Sequence, residues 1–466
     1  MIPPSLRKCA EINPEICSIL QNVLKKIKPS ETEKNHVNMF IRRIMKEVKE
    51  ALIDLDVPFT VELHGSIAHN TWLASDRDFD IFILLKEERS KEYLKNEILK
   101  RIETRLPYKF EKRYAEHPYL RARIDEFEID IVPGFYVEKI ISAVDRTPKH
   151  TRFLKERLND ELADEVRLLK AFLKGIGAYG AEIKVRGFSG YACELLIVFF
   201  GSFLDTIQAL AEKPKIFIDF TDTWDEEEAF KKFKNKVIII DPVDVNRNVT
   251  ANVSNYTFNL AKLASKLFLK KPSIHFFYPH RHKMSVDQVK NFLTERNIFL
   301  IALRKKSQVS PDTYWGQARK IEKNLRRFLR KLPELIVYAT SCKETRNYVM
   351  ILLEINRKEF GQYKEIKGPP VWADAKDILQ FIEKYKEHTI AGPWIRKSRI
   401  MFLARREDSE REVRKFIENY LKSLKIDPSF SSIEILDNPE DILNIVIKED
   451  FLEGISEFLI RKLPWL

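Results

Sequence analysis

The chain has 466 residues, enough for about three domains at roughly 150 residues each. It carries 81 Lys and Arg against 69 Asp and Glu, a net charge of +12, and such a basic balance favours a polyanionic partner. The longest apolar run, residues 195–200, cannot span a bilayer, no basic stretch leads into an apolar one at the start as in a signal peptide, and Cys9, Cys17, Cys193 and Cys342 lack both C-x-x-C and zinc spacing. These features argue against a membrane protein and a zinc module, and predict reduced thiols in a cytoplasmic protein.

Ser30-Glu31-Thr32-Glu33 matches a capping box, in which Ser and Glu side chains satisfy each other's free backbone N–H groups. The helix that follows places Val37, Phe40, Ile41, Ile44, Val48, Leu52 and Leu55 on one apolar stripe. A strand over 60–64 runs into Gly65-Ser66, where Gly permits close backbone approach and the Ser hydroxyl can donate to a phosphate oxygen. Residues 79–85 are apolar and β-branched or aromatic, a buried strand opened by Asp78 and Asp80. Alternation puts both carboxylates on one face, roughly 7 Å apart at Cα for a rise of about 3.3 Å per residue. Acids opening an apolar strand cost desolvation unless a metal or other partners compensate, and hard oxygen ligands favour magnesium. A helix near 91–103 and strands over 119–124 and 127–132 complete an α/β head spanning 1–155. In the last strand Glu128 and Asp130 alternate with Ile129 and Ile131; Asp130, the deeper, is assigned as the third metal carboxylate.

Beyond residue 155 the pattern turns helical, over 161–175, 190–211 and 252–269 with a short strand at 237–240, which predicts a central domain at 156–275. Residues 276–466 read as an α+β body with a tail subdomain at about 325–405. Between 304 and 331 stand ten Lys and Arg against Asp312 and Glu322. In the helix after Pro311, Ala318, Ile321, Leu325, Phe328 and Leu332 form a core stripe while Arg319, Lys323, Arg326 and Arg330 recur on another side, a pattern suited to an RNA backbone.

The chain resembles the archaeal-type (class I) CCA-adding tRNA nucleotidyltransferases of the polymerase β-like superfamily. The likeness is carried by His64-Gly65-Ser66, Thr71-Trp72-Leu73, Asp78-Phe79-Asp80, Asp130-Ile131-Val132-Pro133, Ser142 to Pro148, Val185 to Tyr191, Asp241-Pro242-Val243-Asp244 with Arg247-Asn248-Val249, and Ser310 to Gln317. It implies a polymerase β-like head of mixed sheet and helices, a mostly helical central domain and an α+β C-terminal RNA-binding region. It further implies template-independent addition of C, C and A to the tRNA 3′ end from CTP and ATP, with two Mg2+ ions on Asp78, Asp80 and Asp130. The first of these is often Glu in relatives. Ser66, Thr147, His150, Lys170 and Tyr179 fall on positions that contact the nucleotide sugar or triphosphate, and Arg247 on the Arg that helps read the base. The implied partner is tRNA, gripped by its acceptor and T arms, and relatives are homodimers.

Where relatives carry a basic residue and then Gly, this chain has His69 and Asn70. His69 is expected at the triphosphate with a weaker hold than Arg, while Asn tolerates the left-handed backbone the turn needs. Two alternatives make different predictions: a poly(A)-polymerase or oligoadenylate-synthetase relative would extend with ATP alone, and a catalytically silent relative would bind tRNA and release no pyrophosphate.

Overall fold

Alternation of apolar and acidic residues builds the sheet on which the site stands. Strands β1 (Phe59–His64), β2 (Asp78–Leu85), β3 (Phe110–Tyr114), β4 (Pro118–Ile124) and β5 (Phe127–Phe135) form one sheet in the order β1-β2-β5-β4-β3. The β2–β5 pair is parallel and the rest antiparallel. Phe79, Ile81, Ile83 and Leu85 from β2 and Phe127, Ile129 and Ile131 from β5 point into a core closed by the helix Glu31–Ala51. Their alternates Asp78, Asp80, Glu128 and Asp130 are therefore left on the other face. The computed structural model describes residues 2–74, 76–114, 118–136, 143–280, 282–306, 309–332, 334–407, 410–424 and 428–466. It divides into two units, Met1–His280 with Pro464–Leu466, and Arg281–Leu463.

Most of the expected head elements form, with informative differences. Ser30 Oγ accepts the Glu33 N–H at 3.1 Å, but the Glu33 carboxylate turns to Arg77 at 2.9 Å. An edge strand, β3, was not foreseen; its charged and aromatic residues Glu111, Lys112, Arg113 and Tyr114 show no clean apolar alternation. Ahead of the head lie the helices Pro4–Ile12 and Pro14–Ile27, which pack on the central helix Asp160–Gly175. Ser5 donates N–H and O–H to Glu165 at 2.7 and 2.5 Å, and Lys28 meets Asp164 at 2.6 Å. These contacts join the N-terminal part of the expected head to the central layer.

The expectation of four reduced thiols is corrected. Cys9 and Cys17 form a disulfide, while Cys193 and Cys342 are free and buried. Between the two helices Asn13 is extended and Pro14 starts the second, so the chain folds back and brings the two Cα atoms to 5.3 Å, within bridging range. Spacing alone carried no sign of that turn.

The expected single helix over 190–211 is two, Gly190–Phe200 and Phe203–Glu212, bent by 96°. Gly201 adopts φ +82 and Ser202 caps the second helix by accepting from Asp205 N–H, so the break is written in the Gly-Ser pair. Among the described residues no single helix is long and apolar enough to cross a membrane. Strands β6 (Ile216–Ile218), β7 (Val237–Asp241) and β8 (Asp244–Asn248) make a small sheet.

In the second unit β9 (Ile298–Lys305), β10 (Val337–Glu344), β11 (Tyr348–Ile355) and β15 (Phe430–Leu436) form the sheet β10-β11-β9-β15. The basic helix Pro311–Leu329 and the helix Val413–Ser423 share one core with it. Between β11 and Val413, β12 (Tyr363–Pro370), β13 (Ala391–Arg396) and β14 (Arg399–Arg405) form a separate sheet with the helix Ala375–Tyr385 alongside. This inserted sheet spans residues 363–405. The expected start near 325 lies earlier, since β10 and β11 belong to the main sheet and the end of the basic helix packs in the core beneath it.

Candidate active site

Asp80 and Asp130 are direct partners across the parallel β2–β5 pair, and Asp78 follows on the same face opposite Glu128. Antiparallel β1 sets His64 opposite Asp80, so the chain turns at Gly65 directly over the carboxylate. Gly65 has φ +78, and a Cβ there would come within 3.1 Å of Asp80 Oδ2; both the turn and the close approach call for glycine. The acids line a cleft of about 390 Å³ with Arg77, Arg121 and Arg123. Burial pushes the Asp80 carboxyl up to about 7, helped by Asp130 and Asp78 and opposed by Arg121.

Arg121, the β4 register partner of Asp130, donates Nε and NH2 to its two oxygens, both at 2.7 Å, and NH1 lies 2.8 Å from Glu128. With Asp130 so engaged, no three carboxylate, imidazole or thiolate groups among the described residues close on a single point. The donor set nevertheless fits a divalent cation. Three carboxylates share one face, and burial together with Asp130 and Asp78 makes Asp80 resist ionisation, which a bound divalent cation would offset.

Beside the acids, the loop 65–72 is clamped by the central helices. Asn70 takes φ +54, the left-handed conformation expected for this turn. Arg167, wholly buried, holds that turn by donating to the carbonyls of Asn70 at 2.5 Å and Trp72 at 2.9 Å, balanced by Asp164 at 2.6 Å. Lys170 donates to the Thr71 carbonyl and hydroxyl at 3.1 and 3.0 Å. Thr71 in turn donates its hydroxyl to Glu194 at 2.5 Å. His69, expected at the triphosphate, turns inward: Nδ1 lies 3.3 Å from Glu194 and Nε2 3.0 Å from Thr151 Oγ1. The same hydroxyl is 2.8 Å from His64 Nδ1. Burial alone would raise Glu194, but Lys170, His69 and Thr71 outweigh it and hold the carboxyl down to about 2.

The remaining expected contacts fall around this cradle. Ser66 is half-buried on the short helix Gly65–Ala68. A Cβ on Gly190 would lie 3.1 Å from the Tyr179 hydroxyl and 3.7 Å from Lys170 Nζ, so the glycine lets these two polar tips approach the loop together. Burial raises the Tyr179 phenol, with Cys193, Asp76, Glu194 and Asp78 adding to it. Thr147 and His150 stand on the helix Ala143–Lys155; Ser142, part of the same motif, lies outside the described residues. His150 is stacked on Tyr191 at 4.0 Å and bonds Asp241 at 2.9 Å. Arg247 on β8 donates to the same Asp241 at 2.6 Å. The structure thus ties His150 to Arg247 through Asp241, and joins Lys170, His69 and Thr71 around Glu194.

Sequence reasoning missed Glu194, Asp241, Arg167 and Arg121. Two of them had a signal: Glu194 is the lone acid in the apolar helix Gly190–Phe200, and Asp241 ends the all-apolar run of β7. Buried acids of that kind need a partner.

In the second unit, Tyr314, Trp315, Ala318, Ile321, Leu325 and Leu329 are the buried face of the basic helix, with Phe328 and Leu332 partly buried against the same core. Lys323, Arg326 and Arg330 are exposed. Arg319 lies over Trp315 and meets Glu322 at 3.0 Å, a half-buried packing position.

Residues 41–158 match the nucleotidyltransferase domain family, 164–278 the second domain of tRNA nucleotidyltransferase, and 296–426 the C-terminal domain of the CCA-adding enzyme. The chain is 35% identical over 394 residues to the CCA-adding enzyme of Pyrobaculum aerophilum, covering 84% of this chain and 90% of that one. It is 38% identical over 374 residues to the CCA-adding enzyme of Saccharolobus solfataricus, covering 78% and 84%. A solved cytoplasmic RNA terminal U-transferase is similar at a TM-score of 0.45 and 13% identity, over 56% of this chain and 96% of that one.

Proposed function

The chain belongs to the family of CCA-adding enzymes, and from that premise we propose how its cleft adds C, C and A to the 3′ end of tRNA from CTP and ATP. The observation that carries the reading is the register of Asp80 against Asp130 under the Gly65 turn, with Asp78 two residues along.

Asp78, Asp80 and Asp130 would hold two magnesium ions, whose charge would offset the cost of burying neighbouring carboxylates. Bound there, magnesium lowers the pKa of the RNA 3′-hydroxyl and offsets charge on the departing pyrophosphate. For Asp130 to serve, Arg121 has to release it. The hydroxyls of Ser66, Thr147 and Tyr179 would meet the nucleotide, and Lys170 would exchange its Thr71 bond for a phosphate oxygen. His69 acts from behind the loop, where Glu194 and Thr151 hold it. His150 orders the nucleotide side of the cleft, and the Arg247 fork suits acceptor edges of C or A.

Lys323, Arg326 and Arg330 would grip the acceptor and T arms by their phosphates, with Arg319 supporting that face. A tRNA substrate makes the cytoplasm the place of reaction. Incubating the purified chain with truncated tRNA and each single nucleoside triphosphate tests the reading. CTP should add to tRNA lacking CCA, ATP should complete tRNA ending in CC, and growth should stop there; continued extension with ATP alone would instead favour a poly(A)-polymerase activity.

A further inference from the structure

Asp241 is the one charged residue of β7, follows four consecutive apolar residues and is 0% exposed. Nothing about packing calls for a carboxylate there, since taking one out of water is costly unless it is paired. It is paired four ways. Both oxygens lie 2.9 Å from His150 Nε2, Oδ1 accepts the Val243 N–H at 3.1 Å, and Oδ2 accepts Arg247 NH1 at 2.6 Å. Burial alone would raise this carboxyl, yet His150, the Val243 N–H and Arg247 hold it below the usual range, so it stays charged.

The partners come from separate elements. His150 sits on the helix Ala143–Lys155 and Arg247 on β8, the strand that returns antiparallel to β7. Arg247 remains 36% exposed. A guanidinium presents its donors in a fixed planar fork, so anchoring NH1 sets the direction of the rest. Without that anchor a long Arg side chain samples many rotamers and loses the geometry that distinguishes one base edge from another.

We propose that Asp241 is a positioning residue for nucleotide selection, aiming the Arg247 fork at the incoming base and coupling it to His150. The inference rests on the reading of Arg247 as the base-contacting residue given above. It predicts that discrimination between nucleotides falls while the chemical step survives.

The test is steady-state incorporation by the full-length Asp241→Asn variant on tRNA lacking CCA, comparing kcat and KM for CTP and UTP. The CTP-over-UTP ratio of kcat/KM should fall about tenfold, mainly through KM for CTP, with kcat kept within about threefold. A folded variant with the parent ratio overturns the proposal. So does a variant in which kcat falls alike for both nucleotides with the ratio kept, the result of structural damage alone. Arg247→Ala run in parallel separates the two layers: an unchanged ratio there sinks the base-reading role itself, whereas a lost ratio there with an intact ratio in Asp241→Asn sinks only the role of Asp241. Should Asp241→Asn not fold, Asp241→Glu keeps the charge that pairs with His150 and Arg247 but moves its oxygens by one methylene, changing the angle at which the Arg247 fork is held. Its ratio should drop at least about threefold, and an unchanged ratio overturns the proposal equally.

Discussion

Glu194 and Lys170 stand 3.7 Å apart where neither side chain exceeds 4% exposure, and through Thr71 and His69 this one carboxylate organises the loop beside the metal-type acids. The pair is buried enough for its loss to be felt in stability as well as in nucleotide binding.

Glu194→Gln leaves the Lys170 ammonium buried without its counter-charge. Removing one partner of a buried pair costs about 3–5 kcal/mol, so the midpoint of urea denaturation should drop sharply. A double variant with Lys170→Met should recover part of that loss. A variant as stable as the parent would show that Lys170 finds its charge balance elsewhere.

His64 gives the chain a pH dependence. Burial, with the charges of His69 and Lys155 nearby, pulls its imidazole down from 6.5 to about 4. The unfolded chain therefore takes up a proton at higher pH than the folded one. The stability contributed by neutral His64 is complete above pH 6.5 and is lost as pH falls through about 4, by up to about 1.4 kcal/mol per unit and roughly 3 kcal/mol in all. Denaturation curves at pH 7 and 4.5 should show it, and His64→Gln should shrink the difference. An equal difference in parent and variant would remove His64 from the account.

Arg167 bonds the turn at Asn70 and Trp72 and touches no cleft acid. Arg167→Met should raise KM for CTP and speed hydrogen exchange at Asn70, Thr71 and Trp72, while leaving the amides of β2 protected. Unchanged exchange in the loop would mean that the turn holds itself.

On the second unit, Lys323→Ala, Arg326→Ala and Arg330→Ala should each weaken tRNA binding and reduce the slope of log affinity against log salt by about 0.7–0.9 per lost phosphate contact. Arg319→Ala should act mostly on stability, because its guanidinium packs on Trp315 and pairs with Glu322. Fluorescence anisotropy at several salt concentrations checks both, and slopes that do not move would place the RNA elsewhere.

Local patterns carried the head. The alternation in 79–85 and 127–132 placed Asp78, Asp80 and Asp130 on one face, and the left-handed Asn70 was expected from its residue type. What stayed hidden depends on pairs far apart in the chain. Arg121 reaches Asp130 only because β4 returns antiparallel, and Glu194 reaches His69 across 125 positions. The Cys9–Cys17 bridge needed the Asn13-Pro14 turn, and the Gly201-Ser202 break lies between two apolar stretches whose helical pattern runs on across it. The fate of His69 shows the same limit: its type suggested a weakened phosphate ligand, whereas Glu194 and Thr151 make it a brace.

The most direct measurement is incorporation of labelled CTP into tRNA lacking CCA by the full-length Asp80→Ala variant, with tRNA binding followed in parallel. Three carboxylates acting together on divalent ions predict a loss of at least about a hundredfold in rate, with tRNA affinity and fold retained. Undiminished incorporation by the folded variant would contradict the account at its base.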